Sequence, residues 1–60
     1  MIIQISKDLF INADQVNYIK SFTDIGDKKE KIYISFINKD SVYVPMSFDE
    51  FIKVLKENYV

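Results

Sequence analysis

The chain has 60 residues, no cysteine or histidine, and a formal net charge of −1 from nine acidic and eight basic side chains. This length leaves room for one hydrophobic core, so we predict a single domain over residues 1–60. Without cysteine, disulfides and thiolate zinc sites are excluded. All eight basic residues are lysine, which disfavours nucleic acid as a partner because base readout relies heavily on arginine.

The N-terminal part of the chain predicts strands. Ile2, Ile3 and Ile5 form a short β-branched run, and residues 9–11 are expected to continue this strand after a bend. Turn-forming residues follow, and the alternation over residues 16–22 then predicts a half-buried strand. A short helix over residues 13–20 is the rival interpretation. We expect Phe10 and Phe22 to point into the sheet.

A polar loop and a β-hairpin come next. Residues 24–31 hold the only glycine and a run of charged side chains, which is typical of a solvated connection. Ile32, Ile34 and Phe36 then share one face of a strand, and a tight turn and a return strand complete a predicted hairpin over residues 31–45.

A helix is predicted directly after Pro45, which has no N–H to donate and therefore ends the return strand. Ser47 is a suitable N-cap, and Glu50 three residues later completes a capping box. Met46 is placed to pack against Phe51 across the cap. The predicted apolar face consists of Phe48, Phe51, Ile52, Leu55 and Tyr59, and the polar face of Asp49, Lys53, Lys56 and Glu57.

These elements predict an α+β fold, a small antiparallel sheet of three to four strands (a β-meander) with one C-terminal α-helix packed on one face. A domain this short buries little of its surface and leaves sheet edges open, so we predict a homodimer.

No stretch suits a membrane span, and the first residues do not resemble a signal peptide. We therefore expect a cytoplasmic protein, in a bacterial cell or, if phage-encoded, in the cytoplasm of the host.

Side chains that usually carry catalysis are scarce. With no histidine, cysteine or arginine, we predict that the chain is not an enzyme and needs no cofactor. Asp24, Asp27 and Glu30 offer oxygen ligands in the polar loop. Their spacing differs from that of a calcium-binding EF-hand, and lysines interrupt it, so we predict a solvated loop rather than a metal site.

Five phenylalanines and four tyrosines are many for 60 residues. Tyr33 and Tyr43 are predicted to lie together on the sheet face away from the helix. In one interpretation they are a cross-strand pair that supports a solvent-facing sheet. In the other, Tyr18, Tyr33, Ile37 and Tyr43 form a protein-binding patch. The loop acids Asp24, Asp27 and Glu30 are a second candidate binding surface.

Residues 11–55 resemble two bacterial families. The order of an asparagine turn, strands over 16–20, 32–37 and 42–45, and a helix capped by Ser47 is similar to that of the small flagellar FlbD-like proteins. The strand over 16–20, followed by a hairpin and a helix, also resembles the LytTR DNA-binding domain. The arginines expected for LytTR-type DNA contacts are missing.

Our leading hypothesis is a small non-enzymatic module that binds another protein, an inhibitor from a phage or other mobile element that blocks a bacterial defence protein by steric occlusion. It depends on the short chain, the lack of catalytic groups, the aromatic surplus, and ten isoleucines and eight lysines that are typical of an AT-rich genome. A host structural or regulatory protein of the FlbD-like kind is the alternative, and a LytTR-like nucleic-acid binder ranks third.

Overall fold

The computed structural model describes residues 1–58. In chain order its elements are β1 (Ile2–Ser6), β2 (Leu9–Asn12), a 3-10 turn (Ala13–Gln15), β3 (Val16–Thr23), β4 (Glu30–Phe36), β5 (Ser41–Val44) and α1 (Phe48–Asn58). The predicted small α+β fold with one C-terminal helix is confirmed. The strands divide between two antiparallel sheets, because β1 pairs only with β2 while β3, β4 and β5 form a three-stranded meander.

The first two strands form a hairpin, so the expectation that residues 9–11 continue β1 is wrong. β2 runs antiparallel to β1, with Ile3 opposite Ile11, and both side chains are buried. Phe10 is 59% exposed, which corrects the expectation that it points into the sheet. A strand alternates its side chains between two faces, and because Ile11 occupies the buried face, its neighbour Phe10 must point the other way.

The link to the second sheet is a single 3-10 turn, so the rival helix over residues 13–20 is wrong. The Asn12 side chain accepts a hydrogen bond from the Asp14 N–H at 3.1 Å and caps this turn. β3 then begins, and its register with β4 shifts between Val16 and Tyr18, as in a β-bulge. The bulge lets Val16 pack against the core while Tyr18 stays exposed.

The core lies between the helix and one face of each sheet. In the three-stranded sheet this inner face carries Ile32 and Ile34, neither of which has any exposed surface. Phe51 of α1 is 1% exposed and completes the contact. Burying each such side chain contributes roughly 1.5–3 kcal/mol. The core consists of Ile3, Ile5, Ile11, Ile32, Ile34, Val44 and Phe51.

The helix begins as predicted. The Ser47 hydroxyl accepts a hydrogen bond from the Glu50 N–H at 3.2 Å, and the Ser47 carbonyl accepts one from the Phe51 N–H at 3.0 Å. Val54 also packs against the core, although the predicted apolar face omitted it. Phe48 was predicted on that face but is 45% exposed, and Tyr59 lies outside the described residues. The predicted polar residues Asp49, Lys53, Lys56 and Glu57 are all exposed.

Candidate functional site

The outer face of the three-stranded sheet, opposite the helix, carries Tyr33 and Tyr43 side by side. They pair directly across β4 and β5, with ring centroids 5.0 Å apart and an interplanar angle of 52°. The predicted placement of the two tyrosines beside each other is therefore confirmed, and both interpretations of the pair share this geometry. Pairs of this kind contribute roughly 0.2–1 kcal/mol to a sheet.

The hydrogen-bond phase of the hairpin explains why these two rings are so close. The Phe36 N–H donates to the Asp40 carbonyl at 2.8 Å, which makes these two residues a hydrogen-bonded position. Hydrogen-bonded and non-hydrogen-bonded positions alternate along an antiparallel ladder, so Tyr33 and Tyr43 occupy a non-hydrogen-bonded position, where Cα atoms approach to about 4.5 Å. Their side chains are thus held together by the backbone as well as by ring contact.

Two more rings extend this pair into a row. Tyr18 lies 5.9 Å from Tyr33, and Phe22 lies 5.8 Å from Tyr43 in an edge-to-face arrangement, measured between centroids. We call Tyr18, Tyr33, Tyr43 and Phe22 the aromatic row. The Lys20 ammonium sits 5.4 Å from the centre of the Tyr33 ring, within the range of a cation–π contact.

The row borders an open groove of about 610 Å³ on the sheet surface. Its walls are Tyr18, Lys20, Ser21, Phe22, Tyr33 and Tyr43. A second hollow of about 470 Å³ adjoins it, because Phe22 and Tyr43 also line that hollow together with Asp24 and Lys31. Tyr43 is 62% exposed and Tyr18 is 47% exposed, so no part of the described chain covers the row.

Phe22 and Lys20 are site residues that the sequence reasoning missed. Phe22 was expected inside the sheet, but it pairs with Lys31 on the outer face and contacts Tyr43. Lys20 and Phe22 follow Tyr18 by two and four residues, so all three side chains point to the same face of β3. This spacing could have predicted that both residues lie beside Tyr18.

Ile37, predicted as part of the same patch, does not line the groove. It follows the end of β4, where its N–H donates to the Gln15 carbonyl at 2.9 Å. Its side chain is 59% exposed. The structure therefore brings three tyrosines of the predicted patch together and leaves this isoleucine apart from them.

The predicted acidic loop is organised around Lys31. The Lys31 ammonium lies 2.9 Å from a carboxylate oxygen of Asp24 and 3.1 Å from one of Asp27. Asp24 also accepts the Gly26 N–H at 2.7 Å, and Asp27 accepts the Lys29 N–H at 3.0 Å. These two carboxylates are thus already paired within the loop.

The same contacts shift the titration of all three groups. The hydrogen bond from Lys31 is the main cause that lowers the pKa of Asp24, and the Lys29 N–H is the main cause for Asp27, with Lys31 second. In return, Asp24 chiefly raises the pKa of Lys31. Charged forms are favoured on both sides, and because residues 24–31 hold three acids and three lysines, the loop carries no net charge and is not an acidic surface.

Glu30 takes no part in that cluster. It pairs with Thr23 across the β3–β4 ladder, and its carboxylate accepts a hydrogen bond from the Ser21 hydroxyl at 3.5 Å. The three predicted loop acids therefore do not form one surface. Within residues 1–58, no group of acidic side chains is arranged so that it could hold a metal ion.

Lys20 has a different environment from Lys31. No carboxylate within residues 1–58 lies at ion-pair distance from its ammonium. The outer face therefore combines four rings with one uncompensated positive charge.

No family model, curated protein or solved structure matches this chain. The resemblances to FlbD-like proteins and to LytTR domains therefore stay predictions. Among residues 1–58 there is also no helix with the length and apolar character needed to cross a bilayer.

Proposed function

We propose that this protein is a non-enzymatic module that binds another protein through the aromatic row on its outer sheet face. The observation that carries the proposal is that four rings lie in contact with one another on a face that the helix does not cover. Exposed apolar surface that is contiguous, rather than scattered, marks interaction sites.

The chemistry of the row suits protein recognition. Tyrosine offers a large apolar ring and a hydroxyl that can hydrogen-bond at the rim, and it is enriched at interfaces for that reason. Cross-strand and ring contacts fix Tyr33 and Tyr43 before any partner arrives. Binding then costs less side-chain entropy than it would for freely rotating groups.

The charge on the face indicates the kind of partner. Lys20 stands beside Tyr33 without a carboxylate of its own in the described chain. A partner that places an apolar side chain in the groove and a carboxylate near Lys20 would satisfy both features. Charge complementarity of this kind chiefly improves specificity and association rate.

The mode of action that we propose is steric occlusion of a bacterial defence protein by an inhibitor from a phage or other mobile element. A rigid sheet face with fixed rings can cover a functional surface of its target without any chemical step. A host accessory role of the FlbD-like kind would use the same face, and the identity of the captured partner decides between them.

The test is affinity capture from a low-GC bacterial lysate, followed by a dissociation constant for the purified partner. The working variant is Tyr33→Ala/Tyr43→Ala. The matched control is Phe10→Ala/Phe48→Ala, which also removes two exposed rings but from other parts of the surface. Circular dichroism establishes that both variants are folded.

We expect the tyrosine variant to bind about 100-fold more weakly, since two central hot-spot side chains typically carry that much affinity. The control variant should bind as the wild type does. Equal binding by the tyrosine variant would contradict the proposal and move the site to another surface.

A nucleic-acid function is the second candidate, because rings and a lysine on a sheet can also stack and hold single-stranded bases. Only Lys20 is free to contact phosphate on this face, since Lys31 is paired with Asp24 and Asp27. Retention on heparin at about 0.15 M salt would support this candidate, because phosphate contacts weaken strongly with salt. Elution below that salt concentration would exclude it.

A further inference from the structure

The edge of the three-stranded sheet formed by β3 has no neighbour in the described chain. β3 spans eight residues and pairs with β4 on one side only. The Asp24 N–H donates to the Lys29 carbonyl at 2.9 Å, which fixes the phase of this ladder. Because hydrogen-bonded positions alternate along an antiparallel ladder, the backbone N–H and C=O groups of the even-numbered residues of β3 bond to β4. Ile19, Ser21 and Thr23 therefore direct their N–H and C=O groups to the open side.

This edge has only weak protection against pairing, because its bulge lies at the start, before Tyr18, and its one charged side chain, Lys20, is on the outer face. Natural edges are kept short or carry proline or inward-pointing charges. The other edge, β5, follows that pattern, since it has four residues and is followed by Pro45. β3 is twice as long, contains no proline, and has uncharged side chains on its inner face at Ile19, Ser21 and Thr23.

We propose that β3 pairs antiparallel with β3 of a second copy of this chain, with Ser21 opposite Ser21 on a twofold axis. Ile19 then lies opposite Thr23 of the other copy, and the open N–H and C=O groups bond to each other. The two meanders join into one six-stranded sheet, twice the three strands of each copy. Both helices stay on the inner side.

Charge and strand length favour this register over the two neighbouring registers. A register centred on Lys20 would place two ammonium groups directly opposite each other, which destabilises a strand pair. In a register centred on Phe22, the residue opposite Ile19 would lie in the loop that follows Thr23 and not in the strand. Centred on Ser21, the pairing places Lys20 opposite Phe22 of the second copy, where a cation–π contact can form.

The pairing also has a consequence for the outer face. Tyr18, Lys20 and Phe22 all lie on β3, next to the new junction. Two aromatic rows would therefore become neighbours on one continuous surface. A single strand pair covers less than the roughly 800 Å² per partner of a standard interface, so we expect a weak dimer.

The decisive test uses the absence of native cysteine. In a hydrogen-bonded antiparallel pair, opposite Cα atoms are about 5.5 Å apart, within the range that a disulfide bridges. Under mild oxidation, two Ser21→Cys thiols would each lose a proton and one electron to the added oxidant and form an S–S bond. Ser41→Cys, at another exposed serine, on β5, is the matched control.

We expect Ser21→Cys to form a cross-linked dimer at least about ten times faster than Ser41→Cys at equal concentration, and to lose this advantage in denaturant. Wild-type protein should sediment at twice the 7.1 kDa monomer mass at about 200 μM. Equal cross-linking rates for the two variants, or a wild-type monomer at that concentration, would overturn the proposal.

Ser21→Pro supplies a second, independent measurement. Proline at an edge position removes an N–H that points away from β4, so the monomer fold is retained. This variant should sediment as a monomer, while Tyr33→Ala/Tyr43→Ala should still dimerise. Persistent dimers of a folded Ser21→Pro variant would count against the strand pairing. Because the tyrosine variant tests the partner site separately, failure of one proposal is distinguishable from failure of the other.

Discussion

The two faces of β4 differ both in composition and in surroundings. On the inner face, Ile32 and Ile34 are fully buried and share a core with Phe51 of the helix. On the outer face, Tyr33 contacts neighbouring side chains of its own sheet, Tyr18, Tyr43 and Lys20. The same alternation along one strand thus produces a covered face and an uncovered one.

In a domain of this size, a sheet face that is covered by the helix stabilises the fold, whereas a face that is left uncovered is available for binding. Apolar character alone does not decide which role a face has. Inner side chains are branched aliphatics without polar atoms, which fill a dry core. Three of the four rings in the aromatic row are tyrosines, whose hydroxyl groups tolerate contact with water and with a partner. We expect substitutions on the two faces to have separable effects, and this expectation can be tested.

The largest effect is expected from Ile34→Ala, which should destabilise the fold by about 2–5 kcal/mol because it opens a cavity in the core. A chain of this length has a total stability of only about 3–9 kcal/mol, at roughly 0.05–0.15 kcal/mol per residue. The variant should therefore be largely unfolded near physiological temperature, as measured by urea titration with circular dichroism.

Ile34→Val is the control on the same face, and its expected cost is about 0.5–1.5 kcal/mol because only one methyl group is lost. Tyr33→Ala, one residue away on the other face, should leave the protein folded at room temperature. If Tyr33→Ala proved as destabilising as Ile34→Ala, the outer row would be part of the stabilising core and the comparison would fail.

The next effect is expected from Ser47→Ala, which acts on the helix that covers the inner face. It removes the oxygen that accepts the Glu50 N–H and should cost about 1 kcal/mol, as other N-cap substitutions do. A thermal melt measures the change, with Ser41→Ala as a control at an exposed strand position. Affinity for a partner of the outer face should not change, and a parallel loss of affinity would show that the faces are coupled.

A smaller effect is expected from the ring contact between Tyr33 and Tyr43. A double-mutant cycle, with alanine at each position and at both, should give a coupling free energy of about 0.2–1 kcal/mol. The measurement is equilibrium unfolding of the four proteins. Zero coupling would mean that these rings meet without stabilising each other, and that the row exists for recognition alone.

The sequence predicted well those elements whose signals are local. The helix start at Ser47 depends on a cap and its partner three residues later, and both can be read directly from the chain. The hairpin that pairs Tyr33 with Tyr43 has alternating side chains and one polar turn, so its register followed as well. Both features are set by neighbours in sequence.

Features that depend on distant contacts were missed. Nothing near Phe10 shows that Ile11 has the buried position, because that depends on which face of the β1–β2 hairpin is turned toward the core. Phe22 was misplaced for a related reason, since the bulge between Val16 and Tyr18 changes the phase of β3. The pairing of Asp24 and Asp27 with Lys31 arises only when the loop closes.

The smallest predicted effect concerns that loop, which lies where the outer face ends. Asp24 and Asp27 have lowered pKa values in the folded state, so their ionised forms contribute stability above about pH 4, their ordinary range. This contribution is lost as the pH falls through the folded values. Lys31 has a raised pKa, so its contribution is present below about pH 10 and is lost as the pH rises through the folded value.

Lys31→Met should therefore lower the melting temperature slightly near neutral pH, and the difference from wild type should shrink toward about pH 2 and above about pH 11. Lys29→Met is the matched control, because it removes the same charge from the same loop without removing an ion pair. Asp27 should keep part of its lowered pKa in Lys31→Met, since the Lys29 N–H remains its main donor. A difference that did not vary with pH would mean that Lys31 acts by packing beside Phe22 and Tyr43, and the loop would then belong to the apolar surface of the outer face.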